Sequence, residues 1–219
     1  MAKSWDAIII GGGAAGLFCA GVAGQLGKKV LVLDHAEVLC EKIRISGGGR
    51  CNFTNLHSSP ANFLSLNPNF VKSALARYPS KEFIKLVQSY RIAYHEKHQG
   101  QLFCDDSAKQ IIEMLLGECA KGRVDVRHPV IVESVSNEGG AWIVKTNAST
   151  ERSKSIVMAT GGLPVPAIGA TAYSLDIAKQ FGLKVVDPRP ALVPLSFTSG
   201  EFDNLIELSG LSLPVRIAS

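Results

Sequence analysis

The sequence predicts an α/β protein in which a βαβ unit grows into a β-meander and is followed by the start of a second, β-rich region. Three observations carry that reading. Asp6 to Ile10 is a short apolar run closed by glycine, and Val30 to Leu33 is another, ending at Asp34, with small and apolar residues from Ala14 to Leu26 between them. Strand, glycine turn, helix and strand within about 30 residues make a right-handed, parallel βαβ unit. Further on, Val130–Val135 and Trp142–Thr146 flank Asn137-Glu138-Gly139-Gly140 as the arms of a hairpin. After Pro188, Pro190 and Pro194 the pattern breaks into short β-like pieces at 195–198, 205–208 and 213–217. That shift sets a boundary near residue 190, with a first domain over 1–190 and a second beginning over 191–219.

The remaining elements follow from spacing. Residues 36–60 are polar and glycine-rich and read as irregular. Helices are predicted near 68–77 and 80–90, the second with Phe83, Leu86, Val87 and Tyr90 on one stripe. Ser107-Ala108-Lys109-Gln110 has the form of a capping box. It opens a helix that buries Ile111, Ile112, Leu115, Leu116 and Cys119 and ends at Lys121-Gly122. Ile156 to Ala159 is a further buried strand, and a helix is predicted near 171–181.

Composition excludes several classes of function. The 219 residues are 46% hydrophobic and 19% charged, enough core for one or two domains and too little charge for a disordered chain. Net charge is +4, and no basic run exceeds Lys28-Lys29, so no nucleic-acid partner is expected. The cysteines Cys19, Cys40, Cys51, Cys104 and Cys119 form no C-x-x-C pair and read as small buried thiols of a reducing compartment. Residues 7–24 are uncharged, but six of them are glycine, which suits neither a membrane span nor a signal peptide. A cytoplasmic protein with no membrane partner is expected. His95-Glu96-Lys97-His98 lacks the H-E-x-x-H spacing and reads as a solvated turn, so no metal is expected.

Gly11-Gly12-Gly13-Ala14-Ala15-Gly16 satisfies G-x-G-x-x-G where that pattern means most: after a strand, before a helix, with an acidic residue, Asp34, ending the next strand. Gly11 makes the tight turn, Gly13 lets a pyrophosphate approach the backbone, and Gly16 lets the helix close on the sheet. The amides around Ala14 and Ala15 then face the phosphates with the positive end of the helix dipole behind them. Asp34 is placed to accept a ribose hydroxyl, and His35 to touch the adenosine. No G-x-x-x-x-G-K-[ST] loop of a mononucleotide site is present.

A plain nicotinamide dehydrogenase would continue β-α-β after Asp34. This chain has instead Ile45-Ser46-Gly47-Gly48-Gly49-Arg50-Cys51-Asn52-Phe53-Thr54-Asn55, then Ala159-Thr160-Gly161-Gly162, then Pro190-Ala191-Leu192-Val193-Pro194-Leu195. Together with residues 6–16 these strings resemble the two-dinucleotide-binding-domain flavoproteins. More closely, they resemble the bacterial family that includes the BaiN-type bile-acid flavoproteins and aminoacetone-oxidase-like enzymes. The resemblance covers essentially the whole chain. It implies a Rossmann-like domain holding extended FAD, with ADP on the βαβ unit and the flavin near the Ser46–Asn52 loop. Gly47 and Gly48 would permit close approach, and Arg50 would neutralise phosphate or face the reduced ring. Cys51 and Asn52 would border the flavin. For Cys51, contact or packing is preferred to redox work, because Cys40, eleven residues away, makes no disulfide-reductase pair with it. Val130 would meet the adenine through its backbone, and Ala159, Thr160 and Gly161 would approach the cofactor from the end of their strand.

The activity implied is that of an FAD-dependent oxidoreductase acting on a small-molecule substrate. It takes a hydride from that substrate or from a transiently docked NAD(P)H and passes it to an alkene, an imine or oxygen. A flavin carries the hydride chemistry itself, so no catalytic side chain is named. The chain departs from such relatives in being about half their length, in lacking any Gly-Asp dipeptide and in having Ser174-Leu175 where a Gly-Tyr pair is usual. The resemblance therefore implies truncation at the C-terminus. Two alternatives stay open: a catalytically incomplete FAD- or ADP-binding fragment, and an NAD-dependent dehydrogenase built on the βαβ unit alone.

Overall fold

β1 (Ser4–Ile10) lies at the centre of a six-stranded sheet because its second half carries no polar side chain. Ile8 and Ile10 face one layer and Ile9 the other, as pleating requires, and all three are buried. β2 (Val30–Leu33) repeats the alternation, Leu31 and Leu33 on one side, Val30 and Val32 on the other. Strands apolar on both faces suit a parallel sheet covered on both sides. The strand order is β6 (Asp125–Arg127), β2, β1, β9 (Thr150–Met158), β8 (Ala141–Thr146), β7 (Val132–Glu138). The first four are parallel; β7, β8 and β9 form the antiparallel meander.

This computed structural model describes residues 4–190 and 200, and the chain divides into two compact units, Met1–Lys184 and Val185–Ser219. The sheet and everything described below belong to the first unit. The β-like pieces expected within 195–217 lie outside the described residues.

One face of the sheet is covered by α1 (Ala14–Gln25) and α5 (Lys109–Lys121). Gly24 lets these helices approach, since a Cβ there would stand 2.6 Å from the Gly122 carbonyl oxygen. The other face takes Ile177 of α6 (Tyr173–Gln180) together with Val135 and Val144 of the meander. Between β2 and α5 the chain builds α2 (Glu41–Ile45), α3 (Lys72–Arg77), α4 (Ser80–Ser89) and a small antiparallel sheet. That sheet is ordered β3 (Asn52–Asn55), β5 (Gln101–Cys104), β4 (Tyr94–Glu96). Among the described residues no helix is long and apolar enough to cross a membrane.

The βαβ unit, the helices and the hairpin stand where the sequence puts them, with Gly139 and Gly140 both at positive φ in the hairpin turn. Other expectations need correction. Residues 36–60 are not irregular throughout, since they hold α2 and β3. The capping box does not form: Ser107 Oγ accepts from the Lys109 amide at 3.2 Å, and the Gln110 side chain turns to Asp106 at 3.5 Å. The strand expected at 156–159 is the last part of β9, whose earlier residues alternate with charge and lack the apolar signal. His95 belongs to β4 and its Nδ1 is hydrogen-bonded to the Asp105 carboxylate at 2.7 Å, so it is not simply part of a solvated turn. The hairpin's first arm begins at Val132, two residues later than expected.

Candidate functional site

The turn after β1 is shaped by what glycine leaves out. Gly11 has φ +113°, and a Cβ there would lie 2.3 Å from the Ala159 carbonyl oxygen, so the ends of β1 and β9 cross in contact. A Cβ on Gly16 would lie 1.8 Å from the Gly11 carbonyl oxygen, and one on Gly12 would meet Leu39 Cδ2 at 2.6 Å. At Gly13 the situation reverses, with nothing within 4 Å. There α1 begins, with no side-chain cap and no acidic residue in its first turn. Its leading amides keep their unmet donors and the positive end of the helix dipole.

Those amides border a cavity of about 960 Å³, at the upper end of small-molecule sites (~300–1,000 Å³). Its wall joins Ala14 and Ala15 to Asp34, Val130, Thr160 and Gly161, with Gly11, Gly13, His35 and Ala159 also exposed to it. The Asp34 carboxylate is aimed rather than free: it accepts the Gly12 amide on one oxygen and, at 2.8 Å, the Ala36 amide on the other. Each oxygen keeps a lone pair for a ligand hydroxyl. The Val130 amide donates to the Asp34 carbonyl at 2.7 Å, which fixes the approach to the meander against the end of β2. The Thr160 hydroxyl is tied to that of Ser174.

A second cavity of about 570 Å³ shares Ala14, Ala15, Lys42 and Ile43 with the first. Its far wall is aromatic: Phe18, Phe53, Phe63, Tyr78 and Phe83, with Phe18 edge-on to Tyr78 at 5.0 Å between centroids. Ser46, Cys51 and Asn52 from the glycine loop stand beside it. That loop is pinned by its backbone. The Cys51 amide donates to the Ser46 carbonyl at 3.0 Å, Ala108 to Gly49 at 2.7 Å and Cys104 to Arg50 at 2.9 Å.

The structure thus gathers most expected site residues around two adjoining spaces, but not all. Gly16 lies beneath the turn as a packing residue. Gly47, at φ +59°, makes room for the Phe103 ring, which a Cβ would meet at 2.7 Å. Gly47, Gly48 and Arg50 line neither cavity, and Arg50 is exposed with no ion pair among the described residues. Cys51 is buried, and burial pushes its thiol up, which favours packing over redox work. Burial, with the Asp34 charge nearby, pushes Cys40 up to about 12, and its thiol donates to the Gly12 carbonyl at 3.2 Å.

Three participants escape sequence reasoning. Lys42 borders both cavities, and its ammonium donates to the Gly162 carbonyl at 2.7 Å. Tyr173 lines the larger cavity, and its hydroxyl, buried away from that space, has no hydrogen-bond partner among the described residues. Gly12 is needed for the approach of Leu39. Lys42 stands four residues before the glycine loop and Tyr173 next to Ser174, so proximity to a recognised string was the only signal available. Among the described residues no cluster of His, Cys, Asp and Glu could hold a metal.

The HI0933-like protein Rossmann domain matches this chain across residues 5–209. The chain belongs to the HI0933-like family. It is 48% identical, over 99% of its length, to the ribosomal RNA dihydrouridine synthase of Escherichia coli, of which it covers 54%. It is 24% identical, over 96% of its length, to the 3-dehydro-bile acid delta(4,6)-reductase of Clostridium scindens, covering 51% of that protein. This HI0933-like chain therefore spans about half the length of the curated relatives it matches. Glycine oxidase from Bacillus cereus shares the fold with a TM-score of 0.53 at 16% identity, over 75% of this chain and 57% of that one.

FAD is the cofactor of this HI0933-like Rossmann domain, and the residues present fit it. The open edge at Gly13 leaves room for a diphosphate, and the aimed Asp34 carboxylate keeps lone pairs suited to a ribose hydroxyl.

Proposed function

We propose that this chain carries the FAD-binding machinery of a cytoplasmic reductase that saturates a carbon–carbon double bond conjugated to a carbonyl, with uracil in ribosomal RNA as the substrate. The observation that carries the reading is the pair of cavities sharing one wall at Ala14-Ala15 and Lys42-Ile43. One space is bordered by the leading amides of α1 and by Asp34 and suits a dinucleotide. The other is walled by aromatic rings and suits a flat, conjugated acceptor.

The activities of these two relatives support the same chemistry. Dihydrouridine is uridine whose ring double bond has been saturated, and that bond is conjugated to a carbonyl. A steroid with a 3-oxo group and double bonds at positions 4 and 6 presents the same arrangement. Saturation adds a hydride to the carbon remote from the carbonyl and a proton to its neighbour. The two electrons come from NAD(P)H, which leaves oxidised. Bound FAD supplies the hydride chemistry. The chain's own residues bind and orient: the leading amides of α1 hold the diphosphate and Asp34 the ribose. Lys42 places a cation at the junction, and the rings of Phe18, Phe53 and Phe83 exclude water. This reading sets aside the absence of a nucleic-acid partner expected from the weak net charge.

The test is spectroscopic. Protein loaded with FAD should show a flavin band, lose it with NAD(P)H under anaerobic conditions, and regain it when uridine-containing RNA is added, the RNA gaining the mass of two hydrogens. A band that NAD(P)H bleaches but RNA never restores would refute the substrate. A protein that takes up no FAD would sink the reading as a whole.

A further inference from the structure

From α3, α4 and the loop before them, we infer that this arm is a docking surface for single-stranded RNA that delivers a base to the aromatic cavity. The inference rests on the reading above. Residues 51–95 contain Lys72, Arg77, Lys81, Lys85 and Arg91 against a single acidic residue, Glu82. That short span therefore carries +4, the net charge of the entire chain. A weak overall charge conceals a local concentration.

The same arm exposes apolar side chains that a folded surface ordinarily hides. Leu64 is 95% exposed, Leu66 98% and Phe70 77%. Between Leu56 and Val71 there is no Asp, Glu, Lys or Arg. Phe63 and Tyr78, both partly exposed, belong at once to this surface and to the wall of the smaller cavity. Lys72 follows Phe70 by two residues, Arg77 adjoins Tyr78, and Lys81 opens α4. Among the described residues none of Lys72, Arg77 and Lys81 meets a carboxylate, whereas Lys85 is paired with Glu82 at 2.9 Å. Rings for bases to stack on, interleaved with unpaired cations for phosphates, are what a single strand requires. A protein partner would have use for the apolar residues but not for the uncompensated charge. A base held here needs only to turn into the space behind Phe63 and Tyr78 to reach the wall shared with the cofactor cavity.

The experiment uses the full chain loaded with FAD and a fluorescein-labelled single-stranded oligouridine of about a dozen nucleotides, read by anisotropy across a salt series. Three phosphate contacts predict a log–log salt slope near −2, at about −0.7 per contact. Joint substitution Lys72→Glu, Arg77→Glu and Lys81→Glu should weaken binding more than about tenfold and flatten the slope. Phe70→Ala should weaken it by about fivefold or more with the slope kept. The triple reversal Lys28→Glu, Arg123→Glu and Lys145→Glu, equal in net charge, should leave binding within about twofold. Equal losses in both triple variants would overturn the inference, as would absence of binding at low salt. So would a dimer that Phe70→Ala converts to monomer with RNA affinity unchanged, since a second copy would then own the surface. If binding survives the first reversal while the flavin band still responds to substrate, the surface falls and the reductase stands. If RNA binds as expected yet never restores the bleached band, the reductase falls and the surface stands.

Discussion

Two glycines three residues apart should respond in opposite ways to the same added methyl group. In Gly16→Ala the new Cβ would begin 1.8 Å from the Gly11 carbonyl oxygen, well inside any tolerable contact. Relief requires α1 to move off β1 by more than 1 Å, and α1 is clamped from behind by α5 at Gly24 and Gly122. The cost falls at the upper end of overpacking, about 3 kcal/mol. For a domain of this size that is a fall in Tm of roughly 6–12 °C. In Gly13→Ala the Cβ meets nothing within 4 Å, and φ −86°, ψ −169° is ordinary for an alanine. The fold should lose less than about 1 kcal/mol, the difference between glycine and alanine at an N-cap. On the proposed reading the methyl group instead occupies the edge along which the diphosphate approaches, so FAD affinity should fall at least about tenfold. Thermal melts of the apoprotein and FAD titration by flavin fluorescence separate the two effects. If Gly13→Ala melts early and still binds FAD normally, or Gly16→Ala melts unchanged, the division of labour among these glycines is wrong.

Tyr173→Phe removes a buried hydroxyl with no partner among the described residues, so the apoprotein should gain about 1 kcal/mol, read by differential scanning; an unchanged or lower melting temperature would contradict this. Burial alone would raise the Glu118 carboxyl, but hydrogen bonds from Lys121 at 2.7 Å, Tyr90 at 2.6 Å and Gln25 at 2.8 Å outweigh it and hold the group at about 2. Because its folded pKa is depressed, its stabilisation is present above the ordinary carboxylate value of about 4.3 and fades as pH falls toward 2. Glu118→Gln should therefore melt below the parent at neutral pH, with the gap closing in acid. A gap constant with pH would mean that the ion pair contributes nothing. Cys40, Cys104 and Cys119 stand at about 12, 11 and 11, raised mainly by burial, so a thiol reagent at pH 8 should label Cys19 first and the others only on unfolding. Rapid labelling of Cys51 in the native protein, followed by mass spectrometry, would contradict its packing role.

How much could be read in advance depended on whether a feature is local. The glycine turn, Asp34 and the Ala159–Gly161 strand end were legible because each glycine answers a constraint between near neighbours: a tight turn, an open edge, a close crossing. β4 and β6 were not. Each has three residues, and β6, Asp125-Val126-Arg127, owes its place to pairing with β2 rather than to any apolar run. The charged first half of β9 was missed for a related reason: Glu151 is buried there because the Trp5 indole donates to it at 2.7 Å and Arg127 at 2.6 Å, partners 146 and 24 residues away. No periodicity announces a buried carboxylate whose partners are that remote. Tyr173 was invisible in the same way, since an orphan hydroxyl is defined by its surroundings.

The weak net charge is uninformative for the opposite reason: it is a sum, and a sum hides an arrangement. Four positive charges spread over 219 residues would say nothing, but concentrated between residues 51 and 95 they sit beside uncharged, exposed rings that border a cavity. Electrostatic attraction to a polyanion depends on that local density, because at physiological ionic strength charges farther away than about 8 Å are screened. A whole-chain figure does not report that local density. The relevant figure is the charge within a screening length of the surface the rings define, and Lys72 and Arg77 stand within two residues of Phe70 and Tyr78 with no carboxylate partner among the described residues.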